Sequence, residues 1–264
     1  MLSLRNIYKT FNTGTSNEMS LYQNLSISVK KGDFITIIGS NGSGKSSFLN
    51  MIAGSLNADE GSIEFLGKDI SLTKEHQRST TISRVYQDPL KGTAPSLTIL
   101  ENLSMAANKG KPFNLKKGVN PKQIDEFKKI LSRLNLNLED KLESKVGLLS
   151  GGQRQALSLL MATIVEPQLL LLDEHTAALD PKTSELIINL TESLVEEKQL
   201  TTIMVTHNLK QAIEVGNRLI MFHKGKIILD IDGEEKRNLT VSELINYFNK
   251  LHISNDLSDA LLLT

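Results

Sequence analysis

The stretch FITIIGSNGSGKSSFLNMIAG, residues 34–54, restricts the fold more than any other part of this chain. FITII (Phe34–Ile38) is a short, wholly apolar, β-rich run of the kind found on strands buried on both faces. SSFLNMIAG (Ser46–Gly54) then carries its apolar residues at helical spacing and stops at a glycine. Between them, Gly39, Ser40, Asn41, Gly42, Ser43, Gly44, Lys45 and Ser46 fit the pattern G-x-x-x-x-G-K-[ST]. The spacing has a chemical reason. Glycines let the backbone curl so that successive N–H groups face phosphate oxygens, and the helix N-terminus adds positive potential. Lys45 then reaches the terminal phosphates as a point charge, and the Ser46 hydroxyl can ligate Mg²⁺. By residue usage alone the pattern would arise by chance in about one chain of this length in a hundred. With a buried strand before it and a helix after it, the stretch reads as a phosphate site and not as a flexible Gly/Ser turn.

The rest of the chain agrees with an ordinary α/β protein. At 264 residues it can bury a real core as one large domain, or as one domain with an inserted lobe. The formal net charge is +0, so no global basic field exists for nucleic acid, and none is expected as a partner. The absence of cysteine excludes disulfides and thiolate metal sites. No apolar run approaches the ~20 residues needed to span a bilayer, and MLSLRNIYKTFN reads as a mature strand, not a signal peptide.

Strand patterns occur at SLYQNLSISV (Ser20–Val29), FITII and ISRVY (Ile82–Tyr86), with SIEFLGKDI (Ser62–Ile70) as a hairpin arm. From about Asp88 to Pro167 the patterns become helical, around a basic loop at Lys109–Pro121. β-type runs return at LLLLD (Leu169–Asp173), TTIMVT (Thr201–Thr206) and RLIMFHKGKIILDI (Arg218–Ile231), the last a hairpin about Lys224–Gly225. PKTSELIINLTESLVEEK predicts a helix burying Leu186, Ile187, Leu190 and Leu194. Thr240 and Glu243 form a capping box for a last helix. The expectation is a mainly parallel, helix-covered sheet with antiparallel hairpins at its margin and a helical insertion.

Two further motifs carry chemistry. LLLLDE is a hydrophobic strand that ends in Asp173 and Glu174. In P-loop NTPases an Asp at this place helps hold Mg²⁺, and Glu174 would sit where a water must be aligned on the terminal phosphate. LSGGQRQ (Leu149–Gln155) is a helix start in which Ser150 can cap and Gly151 and Gly152 expose the backbone, so it forms a second anion site. One chain with two such helix starts suggests a head-to-tail pair, each phosphate ligand lying between the loop of one copy and the LSGGQ of the other.

Taken together, GSNGSGKSS, Gln87 in YQDP, LSGGQRQ, LLLLDE, TAALD and His207 in VTHN occur in the order found in the ATP-binding-cassette (ABC) ATPases, and the chain resembles that family over nearly its whole length. The resemblance implies a P-loop NTPase core with a β subdomain (about 1–87 and 166–264) and an α-helical subdomain (about 88–165), within one domain over residues 1–264. It implies ATP and Mg²⁺ as ligands, the metal held by Ser46, Asp173 and Gln87. Lys45, Gln87, Glu174 and His207 would be catalytic: Gln87 touching Mg²⁺ or the attacking water, Glu174 as base or water-positioning group, His207 on the γ-phosphate. Nucleotide would also meet residues Gly39 to Ser47 and, from the partner copy, Ser150, Gly151, Gly152, Gln153 and Asp180. Either Phe11 or Tyr8 would stack on adenine.

The chain departs from the family at Ser47, where Thr is usual, and at His175, which replaces a Pro, Ser or Ala. A metal reading of His175 with Asp173 and Glu174 fails because adjacent residues on an extended chain face opposite ways; a structural or dimer-edge role is expected instead. The wording DEHTAALDPKTSE is similar to that of bacterial ATPases of aromatic amino-acid import, of the tryptophan/tyrosine type. That likeness implies a peripheral protein on the cytoplasmic side of the membrane. Its partners would be a second copy of itself, integral permease subunits and an extracellular solute-binding protein. Its alternatives are an exporter ATPase and a soluble ABC ATPase of the iron–sulfur assembly type. The few residues after the last helix, ending in LSDALLLT, leave no room for the regulatory domain that some importers carry.

Overall fold

The computed structural model describes residues 1–112 and 118–250; most of the basic loop's charged tip, 113–117, and the closing LSDALLLT lie outside them. The chain divides into two compact units, one made of Met1–Ser79 and the segment that begins at Leu200, the other of Thr80–Gln199.

The first unit opens with β1 (Leu2–Phe11) and β2 (Met19–Val29), antiparallel, with Leu2 opposite Val29 and Phe11 opposite Met19. Simple alternation from Leu2 and Leu4 would point Asn6 inward. Instead Asn6 takes a left-handed backbone (φ 50) and the register slips, so that Ile7 is buried in its place. Next come β3 (Phe34–Gly39), buried at all six positions, and α1 (Lys45–Ala53). Helix α1 ends on left-handed Gly54, whose N–H donates to Asn50 O at 2.9 Å. β4 (Glu60–Phe65) and β5 (Lys68–Asp69) turn through Leu66 and Gly67, both at positive φ. The stretch expected to be one hairpin arm therefore contains the turn and parts of both arms. These strands form an antiparallel sheet of their own in the order β2-β1-β4-β5, the expected β subdomain. The short α2 (Glu75–Arg78) brings in Arg78, whose buried guanidinium donates to Met51 O at 2.7 Å and Ile52 O at 3.0 Å, the last carbonyls of α1.

The second unit holds β6 (Ile82–Val85), α3 (Ile99–Ala107), α4 (Ile124–Ser132), α5 (Gly151–Thr163), β7 (Leu169–Asp173) and α6 (Pro181–Lys198). The expected helical stretch is thus present, and its apolar residues, among them Leu103, Phe127, Leu131 and Leu160, meet in one core with Ile187 of α6. The buried stripe of α6 is Ile187, Ile188, Thr191, Leu194 and Val195. Leu186 and Leu190, expected inside, are only partly buried and pack against the helical core from its border. The four leucines before Asp173 are all fully buried.

The returning chain completes the first unit with β8 (Thr201–Val205), α7 (Leu209–Glu214), β9 (Arg218–His223), β10 (Lys226–Asp232), α8 (Gly233–Asn238) and α9 (Val241–Lys250). β3 lies between β8 and β9 and is parallel to both. β10 pairs antiparallel with β9 through left-handed Lys224 and Gly225, as the sequence predicts. The capping box opens α9: Glu243 N–H donates to Thr240 Oγ1 at 3.2 Å, and Thr240 N–H to Glu243 Oε2 at 2.8 Å. Leu244 and Phe248 of α9 then bury against Ile38, Leu219 and Met221.

Candidate active site

In the first unit the phosphate loop springs from the C-terminal edge of β3. A Cβ at Gly39 (φ 151) would overlap the Phe222 carbonyl oxygen of neighbouring β9, so only glycine lets the chain turn there. At the other end of the loop, left-handed Gly44 caps α1, and its carbonyl accepts a 2.5 Å hydrogen bond from the buried Tyr22 hydroxyl. Burial pushes the Tyr22 phenol above its ordinary value, so it stays a donor. Lys45 folds back along the loop: its Nζ donates to Gly39 O at 2.7 Å and Ser40 O at 2.9 Å. Ser43 Oγ is buried and makes no hydrogen bond within the protein among the described residues. An orphan hydroxyl, an ammonium and an open helix N-terminus in one loop fit a polyphosphate. Asn41, Gly42 and Ser46 are exposed, and Ser47 is half-buried.

Because β8 runs parallel to β3, with Ile37 opposite Val205, His207 leaves the sheet at the same edge as the loop. Its turn is braced: Thr206 N–H donates to Ile37 O at 3.1 Å, and Asn208 caps α7 through Gln211 N–H at 2.9 Å. Of the two candidate adenine platforms, Phe11 ends β1 half-buried, with the Lys9 ammonium 5.5 Å from its ring centroid. Tyr8 is the more exposed, at 38%.

In the second unit β6 and β7 are parallel, with Val85 opposite Leu172, so Gln87 and the pair Asp173–Glu174 emerge at one edge. Gln87 is exposed, and Asp173 and Glu174 are half-buried. Asp173 Oδ2 is bound at 2.6 Å by Arg84 Nη2, and the Arg84 guanidinium also lies 4.7 Å from the Tyr86 ring centroid. Glu174 has a left-handed backbone (φ 45), which is costly for a residue with a side chain. His175, next to it, is 2% exposed, and its Nε2 lies 3.1 Å from Thr191 Oγ1 on α6. The Thr191 hydroxyl donates to Ile187 O at 2.7 Å, so His175 Nε2 carries the proton and donates to Thr191. Burial pushes the ring down to about 4, which makes it a neutral, inward-pointing residue.

The start of α5 packs on the start of α6 in the same unit. Ser150 caps α5, accepting from Gln153 N–H at 3.2 Å while Gln153 Oε1 accepts from Ser150 N–H at 3.1 Å. A Cβ added to Gly152 would sit 2.3 Å from Thr183 Cγ2, and one on Gly151 3.7 Å from Leu179 Cδ2. Asp180 caps α6 through Thr183 N–H at 3.1 Å, and hydrogen bonds from the Thr183 side chain and then its backbone hold the Asp180 carboxyl below the usual carboxylate range.

The described residues contain no group of three His, Asp or Glu side chains able to cage a metal. The donors expected for Mg²⁺ are hard oxygens: Ser46 carries a hydroxyl in the first unit and Asp173 a carboxylate in the second.

The motifs assign no role to four contributors: Tyr22 under Gly44, Arg84 on Asp173, Thr183 against Gly152, and buried Gln155, whose Nε2 donates to Tyr86 O at 3.3 Å. Only Gln155 sits inside a motif, as the last letter of LSGGQRQ. The other three act from positions distant in sequence or with no charge to mark them.

A family model described as ABC transporter matches residues 22–177. A tyrosine transport ATP-binding protein of Clostridioides difficile is 49% identical over 94% of this chain and 98% of its own length. A xylose/arabinose import ATP-binding protein of Sulfolobus acidocaldarius is 31% identical over 94% of both chains. Among solved structures, a nucleotide-free ATP-binding cassette from an ABC transporter superposes with a TM-score of 0.75 at 30% identity, covering 94% of this chain and 98% of the other. A dimeric ATP-binding cassette in a post-hydrolysis state, bound to ADP and Pi, superposes with a TM-score of 0.74 at 28% identity, covering 88% and 98%.

Proposed function

This chain belongs to the ABC transporter family as an ATP-hydrolysing, ATP-binding subunit, and from that premise we propose that two copies dimerise head-to-tail around two Mg-ATP and power a membrane permease. The observation that carries the dimer reading is the presence in one chain of two glycine-lined helix starts with no acidic residue in the first turn, Gly44 before α1 and Ser150-Gly151-Gly152 opening α5. Each is an anion receptor, and a nucleotide held by both joins two copies.

In this reading one domain spans residues 1–264, with its helical subdomain at about 88–165. Lys45 and the loop N–H groups, Gly39 to Ser47, bind the phosphates, and either Phe11 or Tyr8 stacks on adenine. Ser46, Asp173 and Gln87 hold Mg²⁺, which supplies positive charge against the phosphate oxygens. Glu174 orients a water and takes its proton as the water oxygen bonds to the γ-phosphorus and the bond to the bridging oxygen breaks. His207 contacts the γ-phosphate. Ser150, Gly151, Gly152, Gln153 and Asp180 close the site from the partner copy. Loss of the γ-phosphate removes the charge that draws the two helix starts together, and the pair opens.

The transported solute is proposed to be a small one such as an aromatic amino acid, imported with the help of an extracellular solute-binding protein. The tyrosine transport relative and the import relatives support import over export. No helix among the described residues is long and apolar enough to cross a membrane. As the ATP-binding subunit of a transporter, the protein would work peripherally from the cytoplasmic face on permease subunits.

Two measurements test the reading. Glu174→Gln should trap an ATP-dependent dimer, seen by size-exclusion chromatography, with turnover lost; robust turnover would remove Glu174 from its role. Purification from membranes should recover an integral subunit, and its absence would favour the soluble alternative.

A further inference from the structure

Asp173 ends a strand and Asp180 opens a helix, so residues 174–180 must link β7 to α6 while presenting Glu174 in a fixed direction. Two features of this link stand out together. Glu174 sits at φ 45, a backbone region that residues with a Cβ leave unless the surroundings hold them there. The next side chain, His175, is buried and bonded to Thr191, about three turns into α6. The left-handed residue breaks the alternation of the strand, and the anchored imidazole keeps the chain from returning to it.

We propose that His175 is a positioning residue for hydrolysis: its hydrogen bond to Thr191 locks the left-handed turn at Glu174 and thereby fixes the direction of the Glu174 carboxylate. The rest of the link supports such a clasp. Ala177 N–H donates to Glu174 O at 3.0 Å and Leu179 N–H to Thr176 O at 3.2 Å, so two tight turns follow one another. Asp180 fastens the far end by capping α6. The loop is tied to one helix at both ends, at its first turn by Asp180 and deeper along its axis by His175. With the His175 tie cut, Glu174 relaxes towards extended backbone and its carboxylate swings away from the water it orients. His175 itself touches neither nucleotide nor water.

The proposal rests on Glu174 being the water-positioning group, and the test separates the two. In the full-length protein, His175→Ala and the shape-preserving Thr191→Val should each lower kcat about 10- to 100-fold, the penalty of a misdirected reactive group. KM for ATP should change by less than about threefold, because phosphate binding lies with other residues. Thr191→Ser, which keeps the acceptor, should restore turnover, and the double variant should lose little more than either single one, since both cut the same bond. Thermal melts of each variant set an assay temperature at which all are folded. Wild-type kcat in folded His175→Ala or Thr191→Val would overturn the proposal, as would equal losses in Thr191→Val and Thr191→Ser. Should Glu174→Gln itself turn over ATP, the assignment of Glu174 fails first. Should Glu174→Gln be inactive while the His175 and Thr191 variants are not, the clasp alone is refuted.

Discussion

Gly152 offers a test in which two physical effects oppose each other. It lies inside α5, where replacing glycine by alanine ordinarily stabilises a helix by about 1 kcal/mol through backbone entropy. The added Cβ would, however, fall 2.3 Å from the Thr183 methyl on α6, well inside the separation at which carbon atoms touch. Thr183 does not simply turn aside, because a β-branched side chain is restricted at χ1 in a helix and its hydroxyl is hydrogen-bonded to Asp180. The helix starts must part, and overpacking of this kind costs about 1–3 kcal/mol. The net expectation for Gly152→Ala is a loss of up to about 2 kcal/mol in urea unfolding, where propensity alone predicts a gain. Thr183→Ser deletes the offending methyl and keeps the hydroxyl. In that background Gly152→Ala should become stabilising, giving a coupling of about 1–3 kcal/mol between the two sites. A Gly152→Ala single variant more stable than the parent by about 1 kcal/mol, as propensity alone gives, or equal effects in both backgrounds, would refute the close-packing account. The glycine would then serve only to bare the backbone for an anion.

Three further outcomes are expected. Arg84→Met strips the cation from the largely buried Asp173 carboxylate and should cost about 3 kcal/mol in denaturant unfolding, more than an exposed ion pair would; a loss under 1 kcal/mol would show the pair to be dispensable. Asp180→Ala removes the cap of α6 and should lower the melting temperature, with Asp180→Asn close to wild type. His175 gives a pH signature in folding: above its ordinary value of 6.5 the ring is neutral in both states and costs nothing. As pH falls below that value the unfolded chain takes up a proton that the buried ring refuses until about 4, so stability drops progressively, by about 2 kcal/mol at pH 5. His175→Gln should lack this component, and parallel pH profiles for the two proteins would exclude it.

The parts of the fold that announce themselves do so through contiguous pattern. β3, the phosphate loop and α1 are legible because apolar run, glycine turn and helical spacing follow one another without a gap. The β4–β5 hairpin is not, because its turn uses Leu66 at positive φ, an apolar residue that gives no turn signal, ahead of Gly67. The stripe of α6 was displaced for a different reason: Thr191 enters the interior as the acceptor for His175, a pairing between residues 16 apart that helical periodicity cannot foresee. Arg84 and Asp173 are 89 residues apart and meet only because β6 and β7 are parallel neighbours. Local sequence therefore placed Gln87 and Asp173 at strand ends, while the groups that hold them came from topology.

Arg78 bears on how ready the phosphate loop is before any ligand arrives. A helix that offers its positive end to an anion leaves its last carbonyls in need of partners at the other end. In α1 those carbonyls, at Met51 and Ile52, are engaged by the Arg78 guanidinium, which also reaches Thr73 O at 2.8 Å and Ile70 O. The helix is thereby preorganised from its rear, so that binding at its front does not have to supply the order of the helix as well. A residue about 14 Å along the axis from the loop, outside every recognisable motif, thus orders the helix on whose front the loop sits, and Arg78→Met would return that entropic cost to any ligand bound there.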